Sequence, residues 1–183
     1  MSQNRIKYLL ISVLGSILLI FTDLYTKHFA VDKLKGTGES SADIVVFDGV
    51  FRLHYLENRG AAFSILNGQQ WFFIILTIIV CIGLIFVYCK IPVESKFVPL
   101  SICLVFLFSG AVGNLYDRIV NGYVVDFLYF ELIDFPVFNV ADIYVTCSVF
   151  LLFVLVMFKY KDNDLAFLGG SPKKDRKDGT DSV

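Results

Sequence analysis

Two aspartates in this chain occupy surroundings that ordinarily expel carboxylates. Asp126 lies in "YVVDF" and Asp142 in "FNVADI". Each follows an apolar lead-in and precedes a large hydrophobe, and no base at helical spacing neutralises it. Two carboxyls close together in a low dielectric cannot both ionise, so the pair holds one proton. The ionised member can take a proton from water while the protonated member donates to a carbonyl oxygen. That is amide hydrolysis without a metal. The apparent pKa values belong to the pair, so the sequence fixes neither acid nor base. Asn114 and Asn139 are available as hydrogen-bond donors to it.

Other polar groups fall at the ends of apolar runs: Asp23 and Lys27, Asn58 and Arg59, Asp117 and Arg118. Charged and amide groups beside membrane spans are expensive, so each is a functional candidate. Each also has a plainer reading. Asp23 and Lys27, four residues apart, can form a helix-end ion pair. Asp117 and Arg118 can anchor a helix end in headgroups, and Arg118 can instead pair with Asp23 or hold a phosphate or carboxyl group. Gly60, Ala61 and Ala62 fit close packing. Glu131 and Asp134 lie in a water-accessible loop and are assigned no chemistry.

The elements that must position these residues are membrane spans. Hydrophobic residues make up 56% of the 183 and charged residues 18%, against about 45–50% and about 25% in soluble domains. The excess is concentrated in four runs: Tyr8 to Thr22 with a polar extension to Lys27, Trp71 to Cys89, Phe97 to Gly113, and Ile143 to Phe158. With their extensions they reach the roughly 17–25 residues a crossing helix needs. Arg5, Lys7, Lys90, Lys96, Lys159 and Lys161 flank the spans on one side, which places both termini in the cytoplasm. The polar cluster then lies at the outer leaflet. In "IVVFDGVFRLHYLE", Asp48-Gly49 between two β-rich arms predicts a hairpin at the membrane surface. The expected fold is therefore an all-α membrane protein of four transmembrane helices with a small extracytoplasmic β-hairpin or sheet. It comprises a membrane domain over residues 1–161 and a disordered cytoplasmic tail over 162–183.

Several classes are excluded. A formal net charge of -1 argues against nucleic acid as a partner. Cys81, Cys89, Cys103 and Cys147 lie in apolar runs without metal-site spacing and read as buried small hydrophobes. His28 and His54 are in no HExxH context, so no metal or other cofactor is expected. No GxGD occurs, and Leu107 stands where a rhomboid-type GxSG has glycine. A channel or scaffold would carry polar residues along its spans, and spans two and four have no such stripe.

The motifs "TDLYTK", "NRGAAFS", "GNLYDR", "VVDF" and "FNVAD" together resemble, in order and spacing, those of the lipoprotein signal peptidases (signal peptidase II), over roughly residues 8–160. The resemblance implies a monomeric, multi-pass aspartic endopeptidase of the bacterial cytoplasmic membrane. Its substrates would be diacylglyceryl-modified prolipoproteins presented in membrane lipid, cut just before the lipidated cysteine. It further implies that Asp126 and Asp142 are the catalytic dyad. Asn58, Asn114, Arg118 and Asn139 would line or support the site, and Asp23 and Lys27 would form a structural pair.

Overall fold

The structure is a computed structural model and describes residues 3–36, 43–60, 69–161 and 163–169. In chain order its main elements are helix α1 (Gln3–Leu34), strands β1 (Ile44–Phe47) and β2 (Phe51–Asn58), helices α2 (Gln70–Lys90) and α3 (Val98–Val120), strand β3 (Val124–Tyr129) and helix α4 (Val140–Val154). Helix α4 continues as a π-turn over Leu155–Lys159. All four helices are long and apolar enough to cross a membrane.

Helix α1 has 32 residues, about 48 Å at 1.5 Å per residue, well beyond a hydrocarbon core of roughly 30 Å. Its buried residues are Asp23, Lys27, Ala30 and Leu34. They recur every three or four positions, so they form one stripe, confined to the last turns. The apolar residues before them, such as Leu14, Leu18 and Phe21, face outward, as a lipid-facing helix requires. Helix α3 touches each of the other three helices. Its small buried residues, Ser109, Gly110 and Gly113, let backbones approach closely. A Cβ on Gly110 would lie 2.5 Å from the Ala141 carbonyl oxygen, and one on Gly113 would collide with the Asp23 carboxylate.

The three strands form one antiparallel sheet in the order β1-β2-β3. The turn between β1 and β2 is the expected Asp48-Gly49. Gly49 has φ +66°, and the Val50 N–H donates to the Phe47 carbonyl at 3.0 Å. Strand β3 was not anticipated. Its "VVDFLY" reads as an apolar lead-in, yet Val124, Val125, Phe127 and Tyr129 are strong β-formers and it pairs with β2, Leu56 opposite Asp126. One sheet face carries Val125 and Phe127, with Leu53 and Tyr55, onto Ala30 and Leu34 at the end of α1.

At the opposite end of the helices Ile91, Phe97, Leu100, Cys103, Leu104, Leu155 and Tyr160 form a second core. Residues 163–169, which the sequence reading puts in the tail, pack onto it. Phe167 meets Phe97 edge-on at 5.6 Å, and Asp164 pairs with Lys96 at 2.5 Å. The remainder of the tail lies outside the described residues. The cysteine expectation holds for only half the set. Cys81 and Cys103 are buried, whereas Cys89 and Cys147 are exposed.

Candidate active site

Alternation along β3 sends Val125 and Phe127 into the core and therefore turns Asp126 to the other face. There its carboxylate is 1% exposed. One oxygen, Oδ2, accepts from Asn58 Nδ2 at 2.9 Å, from the end of β2. The other, Oδ1, accepts from Asn139 Nδ2 at 2.7 Å. Burial, and after it the charge of Asp142, raises the Asp126 pKa to about 7, against the pull of the two asparagine amides.

Asn139 is the hub. It is the N-cap of α4, and with Asp142 three residues on it makes a reciprocal capping box. Asn139 Oδ1 accepts from the Asp142 N–H at 3.0 Å, and Asp142 Oδ2 accepts from the Asn139 N–H at 3.1 Å. This leaves Asn139 Nδ2 to donate to Asp126 and, at 3.1 Å, to Asn114 Oδ1. One amide therefore ties both aspartates together. Asp142 also sits in the first turn of α4, where the positive end of the helix favours an anion.

Asn114 on α3 completes the support of Asp142, donating from Nδ2 to Oδ1 at 2.8 Å. Its orientation is set from behind by Lys27, whose ammonium donates to Asn114 Oδ1 at 2.9 Å. Lys27 also forms ion pairs with Asp23 at 2.8 Å and Asp117 at 3.1 Å. All three charged groups are almost wholly buried. Their carboxylates in turn grip the segments that carry the dyad: Asp23 Oδ1 accepts from the Ala141 N–H at 2.9 Å, and Asp117 Oδ2 from the Val125 N–H at 3.1 Å.

Asp117, counted among the polar candidates, has an inward role that the sequence reading missed. Expected to anchor a helix end in headgroups, it is instead turned inward, because a buried ammonium and a strand N–H need its oxygens. Its spacing from Asn114 and Asn121, one turn apart on the same helix face, was the available signal. Arg118, one position on, does not pair with Asp23. Its Nη1 donates to the Asn114 carbonyl at 3.3 Å and its guanidinium lies over Phe73, 5.2 Å from the ring centre. Gly60 N–H donates to Asn58 Oδ1 at 3.0 Å, fixing the Asn58 amide so that its nitrogen faces Asp126. Ala61, Ala62 and the rest of "AAFS" lie outside the described residues.

The two aspartates open into a cavity of about 1430 Å³. Phe73, Ile143, Thr146 and Cys147 line one part of it, and Asn58, Arg118 and the sheet line another. Among the described residues no three His, Cys, Asp or Glu side chains group as metal ligands. The structure therefore brings Asn58, Arg118, Asn139, Asp126 and Asp142 to one cavity wall or its immediate backing, with Asn114, Lys27 and Asp23 behind.

Apolar helices enclosing a carboxylate pair at one end define a multi-span membrane enzyme. The family model described as signal peptidase (SPase) II matches residues 16–158. The lipoprotein signal peptidase of Streptococcus thermophilus (strain CNRZ 1066) is 43% identical over 141 residues, covering 77% of this chain and 88% of that protein. That of Brevibacillus brevis is also 43% identical, over 145 residues, covering 79% and 93%. A solved bacterial membrane enzyme, determined by the in meso method, superposes with a TM-score of 0.69 at 30% identity, over 80% of this chain and 87% of its own. A second superposes with a TM-score of 0.67 at 29% identity, over 82% and 94%. The chain belongs to the signal peptidase II family and is a multi-pass membrane peptidase.

Proposed function

We propose that this chain removes the signal peptide from diacylglyceryl-modified prolipoproteins, with Asp126 and Asp142 as its catalytic dyad. The observation that carries the reading is Asn139, which donates to the Asp126 carboxylate from its side-chain amide and to the Asp142 carboxylate from its backbone N–H, with the cavity in front and a locked polar network behind. The relatives named lipoprotein signal peptidase supply the substrate class.

The dyad holds one proton. Its ionised member takes a proton from a water molecule in the cavity as the oxygen attacks the scissile carbonyl carbon, and the protonated member donates to the carbonyl oxygen. The tetrahedral intermediate collapses by breaking the C–N bond: the proton taken from water passes to the departing nitrogen of the modified cysteine, and a hydroxyl proton of the intermediate returns to the other aspartate as C=O re-forms, which restores the singly protonated pair. Asn58, Asn114 and Asn139 keep both carboxylates in place, so little reorganisation accompanies the transfer. Arg118, beside both aspartates at the cavity wall, orients the substrate backbone.

Both termini lie in the cytoplasm in this reading, since Arg5, Lys90, Lys96 and Lys159 gather at the helix ends opposite the sheet. The dyad then meets its substrate at the outer boundary of the membrane, where a signal helix ends. In this reading the chain acts as a monomer, and the described network around the dyad needs no group from a second copy. Purified protein should release the signal peptide from a diacylglyceryl-modified prolipoprotein far faster than from the unmodified precursor, because remote lipid contacts orient the reacting amide. Equal rates on the two forms would remove the lipid from the mechanism.

A further inference from the structure

The cavity has walls of two chemistries, and only one suits an apolar signal helix. Phe73, Ile143, Thr146 and Cys147 offer the weakly polar side. The other wall follows β2 away from the dyad. Alternating residues Arg52, His54, Leu56 and Asn58 line the cavity, joined by Tyr129 of β3 and by Asp43 and Asp134. Asn58 at one end of this stripe touches Asp126 at 2.9 Å. At about 3.4 Å per residue, His54 lies about 14 Å and Arg52 about 20 Å further along the strand.

The stripe is held in shape by its own contacts. Arg52 is gripped by Glu131 through two nitrogens and reaches Asp43 at 3.3 Å. His54 Nδ1 meets the other Asp43 oxygen at 2.8 Å, and the Tyr129 hydroxyl donates to Asp134 at 2.7 Å. Asp43, Glu57 and Asp134 on this wall, with Glu131 behind Arg52, outnumber Arg52 and Arg59, so the wall is net acidic. Lining it with lipid tails would strand charged groups in hydrocarbon, which is unfavourable.

Resting on the function proposed above, we infer that this wall is the subsite for the mature side of the substrate. It takes the extended segment beyond the lipidated cysteine, and His54 and Arg52 meet roughly the fourth and sixth residues after the scissile bond. Cationic side chains are favoured there over acidic ones. The preference is electrostatic, so it is screened by salt.

The test uses three diacylglyceryl-modified prolipoproteins that differ only in carrying Lys, Gln or Glu at the fourth to sixth residues after the scissile bond, the cysteine being the first. On the full-length enzyme at low ionic strength, kcat/KM for the Lys form should exceed that for the Glu form by roughly three- to tenfold. The difference should lie in KM and shrink towards unity near 0.5 M salt. In Asp134→Asn, and in Glu131→Gln, the Lys-to-Glu ratio should shrink when each enzyme is referred to its own Gln-substrate rate. Asn accepts the left-handed backbone of position 134, where φ is +47°, so the first variant keeps the loop even if the second disturbs it. Equal rates for Lys and Glu forms on the unaltered enzyme would overturn the subsite and leave the proposed function standing. So would a preference unchanged in both variants. Failure to cut any of the three would defeat the proposed function itself and the subsite with it.

Discussion

Asn139 performs two tasks that substitution can separate. As N-cap it accepts from the Asp142 N–H at 3.0 Å, and as donor it reaches Asp126 at 2.7 Å and Asn114 at 3.1 Å. Asn139→Ala removes both. Losing a cap costs about 1 kcal/mol of stability, and stripping a buried carboxylate of a charge-assisted hydrogen bond costs about 1.5–3 kcal/mol. Asn139→Ser keeps a good cap, but its short hydroxyl cannot bridge to Asp126. The serine variant should therefore melt higher than the alanine variant, by about 1 kcal/mol, while both lose turnover. If the Asp126 bond counts fully in the transition state, about 1.5–3 kcal/mol corresponds to a fall of roughly 10- to 150-fold. The assay pairs thermal unfolding in detergent with signal-peptide release from a lipid-modified prolipoprotein. Serine restoring near-normal turnover would refute the reasoning, because Asn139 would then be only a helix cap.

Close packing of α3 predicts that Gly113→Ala, whose Cβ would collide with Asp23, lowers stability by about 1–3 kcal/mol. Gly83→Ala, with nothing within 4 Å, should be neutral or slightly stabilising in unfolding measurements. The raised pKa of Asp126 predicts a pH effect whose sign is fixed. The folded state holds this proton more tightly than the unfolded chain, so ionisation disfavours folding. Stability from this group is full below about 4 and is lost as pH rises to about 7. Asp126→Asn should flatten the pH dependence of unfolding across that window, by a few kcal/mol at most, and an unchanged slope would show that Asp126 does not titrate there.

The spans were legible because charge-free runs of this length have few other physical solutions. The hairpin was legible because Asp48-Gly49 meets the turn's demand for a positive φ. That Asp126 and Asp142 share one cavity was legible because two carboxylates in apolar segments are costly unless they have a common polar setting. Strand β3 was not, since "VVDFLY" takes its pairing from β2, a partner 70 residues upstream at Leu56 opposite Asp126 by register, and local pattern cannot show that. Nor was the inward turn of Asp117, which depends on Lys27 arriving from another helix. The capping box of Asn139 and Asp142 was present as N-x-x-D ahead of an apolar run. It was read as two functional residues rather than as a cap that also aligns them.

Isosteric removal of each carboxyl tests the dyad most directly. Asp126→Asn and Asp142→Asn should each insert and fold, yet each should cut a diacylglyceryl-modified prolipoprotein at least ~10³-fold more slowly, with the double variant little worse, as for groups acting as a unit. Asp32→Asn, at an exposed position on α1, should cleave at the unaltered rate. Normal turnover in folded Asp126→Asn or Asp142→Asn would contradict the aspartic mechanism.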